Sequence, residues 1–385
     1  MPRRAFVVVV DGLGVGALPD AAAFGDQGAD TLANVSLAAG GIALPYLVGA
    51  GVARVAPDAI LLPAGAWSGR GAYGRMVQAA PGKDTLSGHW ELMGVIPPEP
   101  FPTYPAGFPP ELLLAMEKAT STRFLGNRAA SGTTIVQELG EEHLATGYPI
   151  LYTSADSVLQ LAAHERVLPR EELYRLCAIA RRLSRVGRVI ARPFQGEAGK
   201  FFRTAGRRDW AMSPPAPTLL DRITDAGQEV WAVGKVEDLF TGRGIGRSLR
   251  RSTNREVAAG LEEAVRQAGP GLVLGTLPET DTVCGHRNDP GGFARELEKL
   301  DGWLGGFQGR LGSKDWLFIT ADHGCDPTLP STDHTREYVP VLVPRAPAVD
   351  LGTRMTMCDL AATVSELLGI PGAGPGCSFA AALLG

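Results

Sequence analysis

FVVVVDGLG, residues 6–14, decides the fold, because five apolar residues run directly into an aspartate and two glycines. An unbroken apolar run of this length is typical of a strand that is buried on both faces of a parallel sheet. Similar short runs recur at 230–233, 272–274 and 316–320, and each ends in a polar or glycine-containing turn. The sequence therefore predicts a mainly parallel sheet with its first strand at the start of the chain.

Helix-like segments separate these runs. Thr253 and Glu256 have the spacing of a capping box ahead of an apolar stripe. A second apolar stripe recurs at helical spacing, at Phe293, Leu297, Leu300 and Leu304. The alternation of strand and helix favours an α/β fold in which helices flank the sheet.

Two proline-dense stretches suggest where one domain is inserted into another. They are PPEPFPTYPAGFPP at 97–110 and SPPAPT at 213–218, and proline ends regular elements. The chain of 385 residues is also longer than a usual single domain. We expect a core domain of residues 1–98 and 216–385 and an inserted, smaller α/β cap domain at 99–215. Within the insert we expect strands at 149–153 and 188–191 and a helix at 170–183.

The composition argues against several partners and locations. The net charge is −4 at pH 7, which leaves no basic footprint for nucleic acid. No stretch reaches the about 18 apolar residues of a membrane helix, and the first run meets Asp11 too soon for a secretory signal. Five cysteines are scattered without a CxxC pair, which fits reduced thiols. We expect a cytoplasmic protein with no nucleic-acid, membrane or obligatory protein partner.

Aspartates and histidines cluster just after the predicted strands, where ligands of open α/β sheets bind. A single residue of this kind is ordinarily a cap, a turn residue or a surface group. Carboxylate and imidazole together are favoured ligands of manganese, zinc and iron. Six candidates exceed what one ion takes from a protein, so two adjacent ions are expected, an arrangement that suits in-line phosphoryl transfer. The candidates are Asp11, Asp281, His286, Asp322, His323 and His334.

PGKDTLSGHWELMGV, residues 81–95, offers two hydroxyl groups between glycines, those of Thr85 and Ser87. A metal-activated hydroxyl can attack phosphorus, but spacing does not choose between these two. Thr85 is also expected as the N-cap of a helix through Ser87 to Met93, in a field that favours phosphate. His89 and Trp90 are interpreted as packing around the nucleophile.

Five segments then stand out in chain order: VVVVDGLGVGALPDAAAFGDQGADTLAN, GKDTLSGHWELMG, TSADSVLQLAAHE, DTVCGHRND and ADHGCDPTLPSTDHTREYVPVLV. Together they resemble the bacterial phosphopentomutases of the alkaline phosphatase superfamily. The resemblance runs from the first strand nearly to the C-terminus. ADHG alone would indicate only the superfamily, whereas GKDTLSGHWE with STDHTRE points to this family. The resemblance implies an alkaline-phosphatase-like core with a cap that closes over the sugar.

The resemblance also implies roles for particular residues. Thr85, rather than Ser87, would bear the phosphoryl group. Two manganese ions are implied, one held by Asp11, Asp322 and His323 and the other by Asp281, His286 and His334. Asp156 would contact the sugar. Three basic residues lie in segments that resemble the family's phosphate-binding neighbourhood, although a surface ion pair suits each as well: Arg192, Arg207 and Lys235.

The implied enzyme is an isomerase that acts on small pentose phosphates. It would interconvert (deoxy)ribose 1-phosphate and (deoxy)ribose 5-phosphate through a phosphothreonine and a sugar 1,5-bisphosphate, which also acts as activator. The main alternative is a metal-dependent phosphatase or phosphodiesterase of the same superfamily. A cofactor-independent phosphoglycerate mutase is disfavoured because that family resembles this chain but has serine where Thr85 stands. A metal-binding protein without catalysis is the alternative outside enzymes.

Overall fold

A computed structural model describes residues 4–61, 68–154, 157–372 and 374–385. These residues form fourteen strands: β1 Arg4–Val10, β2 Ala72–Met76, β3 Leu125–Ala129, β4 Ile150–Thr153, β5 Val158–His164, β6 Arg188–Gln195, β7 Phe202–Arg203, β8 Arg208–Ala211, β9 Glu229–Val233, β10 Arg247–Leu249, β11 Gly271–Leu277, β12 Asp315–Thr320, β13 Val339–Val343 and β14 Val349–Arg354. They also form thirteen α-helices: α1 Thr31–Ala38, α2 Pro45–Gly49, α3 Val52–Val55, α4 Thr85–Leu92, α5 Pro110–Thr120, α6 Gly132–Thr146, α7 Arg170–Leu183, α8 Leu219–Asp225, α9 Val236–Leu239, α10 Asn254–Gln267, α11 Pro290–Gln308, α12 Cys358–Leu367 and α13 Ala380–Leu384.

The chain divides into two compact units. The first consists of Met1–Glu99 and Pro214–Gly385, and the second of Pro100–Ser213. No helix among the described residues is long and apolar enough to span a bilayer.

The first unit contains an eight-stranded sheet in the order β10-β9-β11-β1-β12-β13-β2-β14. Only β13 runs antiparallel to its neighbours, β12 and β2. β1 lies between β11 and β12 in parallel register, so that Val8 pairs with Gly275 on one side and Ile319 on the other. The predicted α/β class with a mainly parallel sheet is therefore confirmed.

Burial on both faces explains why the strand sequences are continuously apolar. Val7, Val8 and Val9 are fully buried, and Phe307 of α11 packs edge-on against Phe6 of β1 with ring centroids 5.9 Å apart. A fully buried side chain of this size contributes about 1.5 to 3 kcal/mol by its removal from water. The core of this unit lies along β1 and the helices that cover it.

The second unit has its own six-stranded sheet, in the order β3-β4-β5-β6-β7 with β8 paired to β6. Side chains of β5 alternate between two cores, as strand geometry requires. Leu159 and Leu161 pack with α5 and α7 residues in one core, while Ala162 packs with α6 residues in the other. Helices therefore cover both faces of this sheet.

Most predicted elements are confirmed. The runs at 6–10, 230–233, 272–274 and 316–320 are β1, β9, β11 and β12, and the helix expected at 170–183 is α7. The capping box at the start of α10 is present, because the backbone N–H of Glu256 bonds Oγ1 of Thr253 while the backbone N–H of Thr253 bonds Oε2 of Glu256.

Candidate active site

The acidic ligands follow the carboxyl ends of three adjacent parallel strands. Asp11 comes directly after β1, Asp281 lies in a short helical turn, Thr280–Cys284, after β11, and Asp322 comes two residues after β12. Because β11, β1 and β12 are neighbours, their ends meet at one edge of the sheet. Residues that are more than 300 positions apart in sequence, such as Asp11 and Asp322, thereby become neighbours.

The ligand atoms form two groups that share one carboxylate. We call Asp11, Asp281 and His323 the inner group and Asp281, His286 and His334 the outer group, and within each group the ligand atoms lie within 4.8 Å of one another. The outer group is the second ligand set expected from the family resemblance. In the inner group Asp281 stands with Asp11 and His323, where Asp322 was expected.

Asp322 nevertheless lies at the inner group. Its Oδ2 is 3.2 Å from Nε2 of His323, and its side chain is fully buried. Asp11 Oδ1 is 3.6 Å from the same imidazole nitrogen. All six predicted ligand residues therefore surround one small volume.

Backbone carbonyl groups orient the three histidines. The Nδ1–H groups donate to the carbonyl oxygens of Thr332, Gly324 and Lys83, at 2.7 Å for His286, 3.1 Å for His323 and 3.0 Å for His334. Since Nδ1 carries the proton of the neutral ring, each Nε2 presents its lone pair to the cluster. A metal-binding histidine is usually held in this way.

Two further features fit a bound cation. Oδ1 of Asp11 and Oδ1 of Asp281 are buried and accept no hydrogen bond from the described residues, and a buried unpaired carboxylate oxygen is costly. The Nε2 atoms of His286 and His334 face each other at 3.2 Å, so their lone pairs need a positive charge between or beside them. The donor set of carboxylates and imidazoles matches manganese, zinc or iron.

The two groups differ in protonation when no cation is bound. Burial, together with the Asp322 carboxylate, raises the pKa of Asp11 to about 8. Although burial opposes it, Asp322 raises the pKa of His323 to about 10. In the outer group, burial and then His323 lower the pKa of His334 well below its usual value. His334 and His286 outweigh burial and lower the pKa of Asp281.

Lys235 lies at the inner group, although it was expected at a substrate phosphate. It follows β9, and its ammonium group is paired with Oδ2 of Asp11. Burial alone would lower the pKa of Lys235, but the carboxylate of Asp11 and then that of Asp322 raise it. Lys235 therefore balances part of the negative charge of the buried carboxylates.

Thr85 is the first residue of α4, and its hydroxyl faces the inner group. Its Oγ1 is 3.2 Å from Nε2 of His323, and the side chain is partly exposed. The N-cap is Asp84, so the expectation that Thr85 caps the helix is wrong by one residue. Thr85 thus keeps its hydroxyl available at a helix N-terminus, where the backbone N–H groups favour a phosphoryl group.

Ser87, the second hydroxyl candidate, is engaged in the cap. Its Oγ donates to Oδ2 of Asp84 at 2.6 Å, and its backbone N–H donates to Oδ1 of the same residue at 3.0 Å. The Ser87 side chain is also fully buried. The geometry therefore favours Thr85 over Ser87 as the reacting hydroxyl.

His89 takes part in the site, so the packing role expected for it is incomplete. Its Nδ1 is 3.0 Å from Oδ2 of Asp322 and 3.0 Å from the carbonyl oxygen of Thr85, and its Nε2 is 2.8 Å from Oγ1 of Thr276. Its position four residues after Thr85 is the sequence signal, because that spacing puts both on one helix face. Trp90 does pack as expected, since it is buried and donates to the carbonyl oxygen of Leu239.

Glycine at position 88 lets α4 approach the ligand segment. A Cβ on Gly88 would collide with the carbonyl oxygen of Asp322. A backbone oxygen cannot rotate away as a side chain can, so only glycine allows this packing. The close approach keeps Thr85 beside His323.

The remaining predicted residues belong to the second unit. Nε of Arg192 donates to Oε1 of Gln160 at 3.0 Å, and Arg207 forms two hydrogen bonds with the carboxylate of Asp209, at 2.8 and 2.7 Å. Burial, and then the charge of Arg207, lowers the pKa of Arg192 to about 10. Asp156 lies outside the described residues.

Known proteins resemble the chain over nearly its whole length. A family model, the Metalloenzyme superfamily, matches residues 3–372. The phosphopentomutase of Caldanaerobacter subterraneus is 49% identical over 387 aligned positions, covering 98% of each chain. That of Anaeromyxobacter dehalogenans is 50% identical over 374 positions, covering 96% of this chain and 95% of its own. A solved structure from Pyrococcus horikoshii, 15% identical with a TM-score of 0.51, covers 96% of this chain and 98% of its own and is similar in fold alone.

Proposed function

The chain belongs to the phosphopentomutase family and is therefore a mutase, an isomerase, and we propose that it works through a phosphothreonine at Thr85. Its substrates would be the 1-phosphates and 5-phosphates of ribose and 2-deoxyribose. The observation that carries the proposal is the position of the Thr85 hydroxyl, 3.2 Å from Nε2 of His323. The competing hydroxyl of Ser87 is buried and bonded to Asp84.

We propose that the inner and outer groups, with Asp322, hold two manganese ions. When bound, such ions supply positive charge that stabilises the transferring phosphoryl group and the oxygens on either side of it. The unpaired carboxylate oxygens and the anchored histidines support this assignment. Asp281, which belongs to both groups, would hold their ligand atoms at a fixed separation.

The reaction proceeds in two matched transfers. Phospho-Thr85 gives its phosphoryl group to the free hydroxyl of the sugar phosphate: the bond between phosphorus and Oγ1 breaks, a bond to the sugar oxygen forms, and the hydroxyl proton passes overall to Thr85. The resulting 1,5-bisphosphate then returns its other phosphoryl group to Thr85 by the reverse exchange. A sugar 1,5-bisphosphate added from outside primes the enzyme by the same second step.

The protein's contribution to each transfer is positioning and electrostatic stabilisation, which account for most of the barrier lowering in phosphoryl transfer. The N-terminus of α4 provides backbone N–H groups beside Thr85. Asp84 holds Ser87 through side-chain and backbone bonds, so the first turn of the helix is fixed. Asp84 thereby orders the turn from which Thr85 projects.

A phosphothreonine mutase has to keep water from the phosphoryl group, since hydrolysis would make it a phosphatase. We propose that the inserted domain, predicted at 99–215, serves as the cap that does so. Asp156 would bind the sugar, and Arg192 and Arg207 would bind phosphate. Lys235, which pairs with Asp11, would adjust the charge of the metal site as well as attract phosphate.

We also propose that the enzyme acts in the cytoplasm on free pentose phosphates. All five cysteines are unpaired, which suits a reducing compartment. The acidic net charge of −4 supports a small-molecule substrate over nucleic acid.

The test is isomerisation by the manganese-loaded protein. The enzyme is primed with ribose 1,5-bisphosphate and given ribose 1-phosphate, and the formation of ribose 5-phosphate is followed. Thr85→Ala should lower kcat by about a thousandfold or more, because the phosphoryl carrier is lost. Ser87→Ala is the matched control. It loses one hydrogen bond and should keep kcat within about tenfold.

Intact-mass measurement supplies a second readout. The primed wild type and Ser87→Ala should carry one phosphoryl group, and Thr85→Ala should carry none. Full activity of Thr85→Ala would contradict the mechanism. Release of inorganic phosphate without isomerisation would instead identify a phosphatase.

A further inference from the structure

The loop that leads into α4, residues 79–84, has no regular secondary structure. Arg336 holds two of its carbonyl oxygens. Nη1 of this arginine donates to the carbonyl oxygen of Ala80 at 2.6 Å and to that of Gly82 at 2.7 Å. Arg336 is 4% exposed, so both bonds are shielded from water. In both hydrogen bonds the buried donor is the guanidinium group of Arg336.

The same segment that carries Arg336 also carries an outer-group ligand. His334 donates Nδ1–H to the carbonyl oxygen of Lys83 at 3.0 Å. Asp26 forms a second connection between the two segments. Its carboxylate accepts hydrogen bonds from the backbone N–H of Arg336 at 2.8 Å and from the ammonium group of Lys83 at 3.0 Å. The loop before Thr85 and the segment after His334 are therefore joined at several points.

Arg336 is itself held in one orientation. Its guanidinium group pairs with the carboxylate of Asp20 at 3.0 Å and lies over the ring of Phe24, 5.0 Å from the centroid. A planar guanidinium group can serve a carboxylate on one edge and carbonyl oxygens on another, whereas a lysine ammonium group acts as a point charge on a flexible chain. The site therefore requires arginine specifically.

We propose that Arg336 is a positioning residue for phosphoryl transfer, an inference that rests on the phosphothreonine mechanism above. By holding the carbonyl groups of Ala80 and Gly82, it sets where α4 begins relative to His334. It thereby sets the distance between the Thr85 hydroxyl and the ligand atoms. Its effect on the reaction passes through the loop.

Arg336→Lys tests this role. A displacement of about 1 Å at a reacting group can cost about a hundredfold in rate, so kcat should fall by about that factor. KM and the affinity for manganese should stay within about threefold, since the substitution leaves the ligands in place. The rate at which ribose 1,5-bisphosphate phosphorylates Thr85, followed by intact mass, should fall with kcat.

Asp20→Asn is the matched control. It removes the charge of the exposed Asp20 carboxylate but keeps an oxygen that accepts from the guanidinium group, and the hydrogen bonds to Ala80 and Gly82 stay in place, so kcat should stay within about threefold. Lys83→Met removes the ion pairs of Lys83 with Asp26 and, at 3.4 Å, with Asp333, and should lower kcat by about tenfold without weakening manganese binding. Lys83→Met keeps Arg336, so it tests the step on which the proposal depends, that the position of the loop sets kcat, should Arg336→Lys fail to fold.

Wild-type kcat in Arg336→Lys would overturn the proposal. So would a fall in kcat that a matching loss of manganese affinity explains, because Arg336 would then act on the ligands. Wild-type kcat in Lys83→Met would overturn it when only that variant folds. These failures are distinct from failure of the proposed function, in which the wild type itself would neither isomerise its substrate nor carry a phosphoryl group on Thr85.

Discussion

The inner and outer groups share Asp281 but differ in burial and in protonation. Every residue of the inner group is buried, whereas the side chain of His286 in the outer group is 29% exposed. Asp11 and His323 have pKa values raised to about 8 and about 10, while the pKa values of Asp281 and His334 are lowered. Metal ligands must be deprotonated. Asp281 and His334 are therefore ready for a cation at neutral pH, whereas Asp11 and His323 must first release protons.

The difference teaches that two adjacent metal positions in one active site need not be equivalent. Water can replace a missing ligand at an exposed position, whereas the inner group is enclosed by protein. The inner group also lies beside the Thr85 hydroxyl. Substitutions in the inner group should consequently lower kcat, whereas substitutions in the outer group should raise the metal concentration required for activity.

The largest effect is expected from His323→Ala in the inner group. It should lower kcat by about a thousandfold, because it removes a buried ligand and the neighbour of the Thr85 hydroxyl. Added manganese should not restore the rate. The measurements are kcat over a range of manganese concentrations and the number of ions bound per chain. Full recovery at high manganese would remove the distinction between the two groups.

A smaller effect is expected from His286→Ala in the outer group. The manganese concentration for half-maximal activity should rise by about 10- to 100-fold. At saturating manganese, kcat should return to within about fivefold of wild type, since water can occupy the exposed position. The same titration as for His323→Ala measures this. A loss of kcat that persists at saturation would show that the outer group is as demanding as the inner one.

The smallest effect on kcat is expected from pH, which acts on the affinity for manganese. Below about pH 8, Asp11 and His323 hold protons in the metal-free protein, and an entering cation has to displace them. The affinity for manganese should therefore rise by about tenfold per pH unit between pH 6 and 8 for each proton released. Calorimetric titration in buffers of different ionisation enthalpy measures the release, and His323→Ala should release fewer protons. Manganese affinity that is independent of pH would contradict the assignment of raised pKa values to the inner group.

Much of the fold could be predicted from local patterns in the sequence. Buried parallel strands need apolar side chains on both faces, so β1, β9, β11 and β12 were visible as short apolar runs. The ligands could be proposed because strand ends in an α/β sheet collect functional groups. The N-cap of α4 was misjudged by one residue, since aspartate and threonine both cap helices well and Asp84 precedes Thr85 directly.

The sequence could not show which side chains of different strands and helices contact one another. The pairing of Lys235 with Asp11 and the contact of His89 with Asp322 depend on how β9 and α4 approach the ligand segments. The grouping of Asp281 with Asp11 and His323 has the same origin. Such contacts join residues far apart in sequence, and no local pattern encodes them.

The central place of β1 has a consequence for folding. Its two partners, β11 and β12, are made more than 260 residues later, so β1 leaves the ribosome long before either neighbour exists. Contacts of such high sequence separation slow folding and leave an apolar strand exposed to aggregation meanwhile. The sheet of the second unit pairs only strands between Leu125 and Ala211 and can be completed earlier in synthesis. Chaperone dependence should therefore arise from strands of the first sheet such as β1, whose four valines stay exposed until β11 and β12 are made.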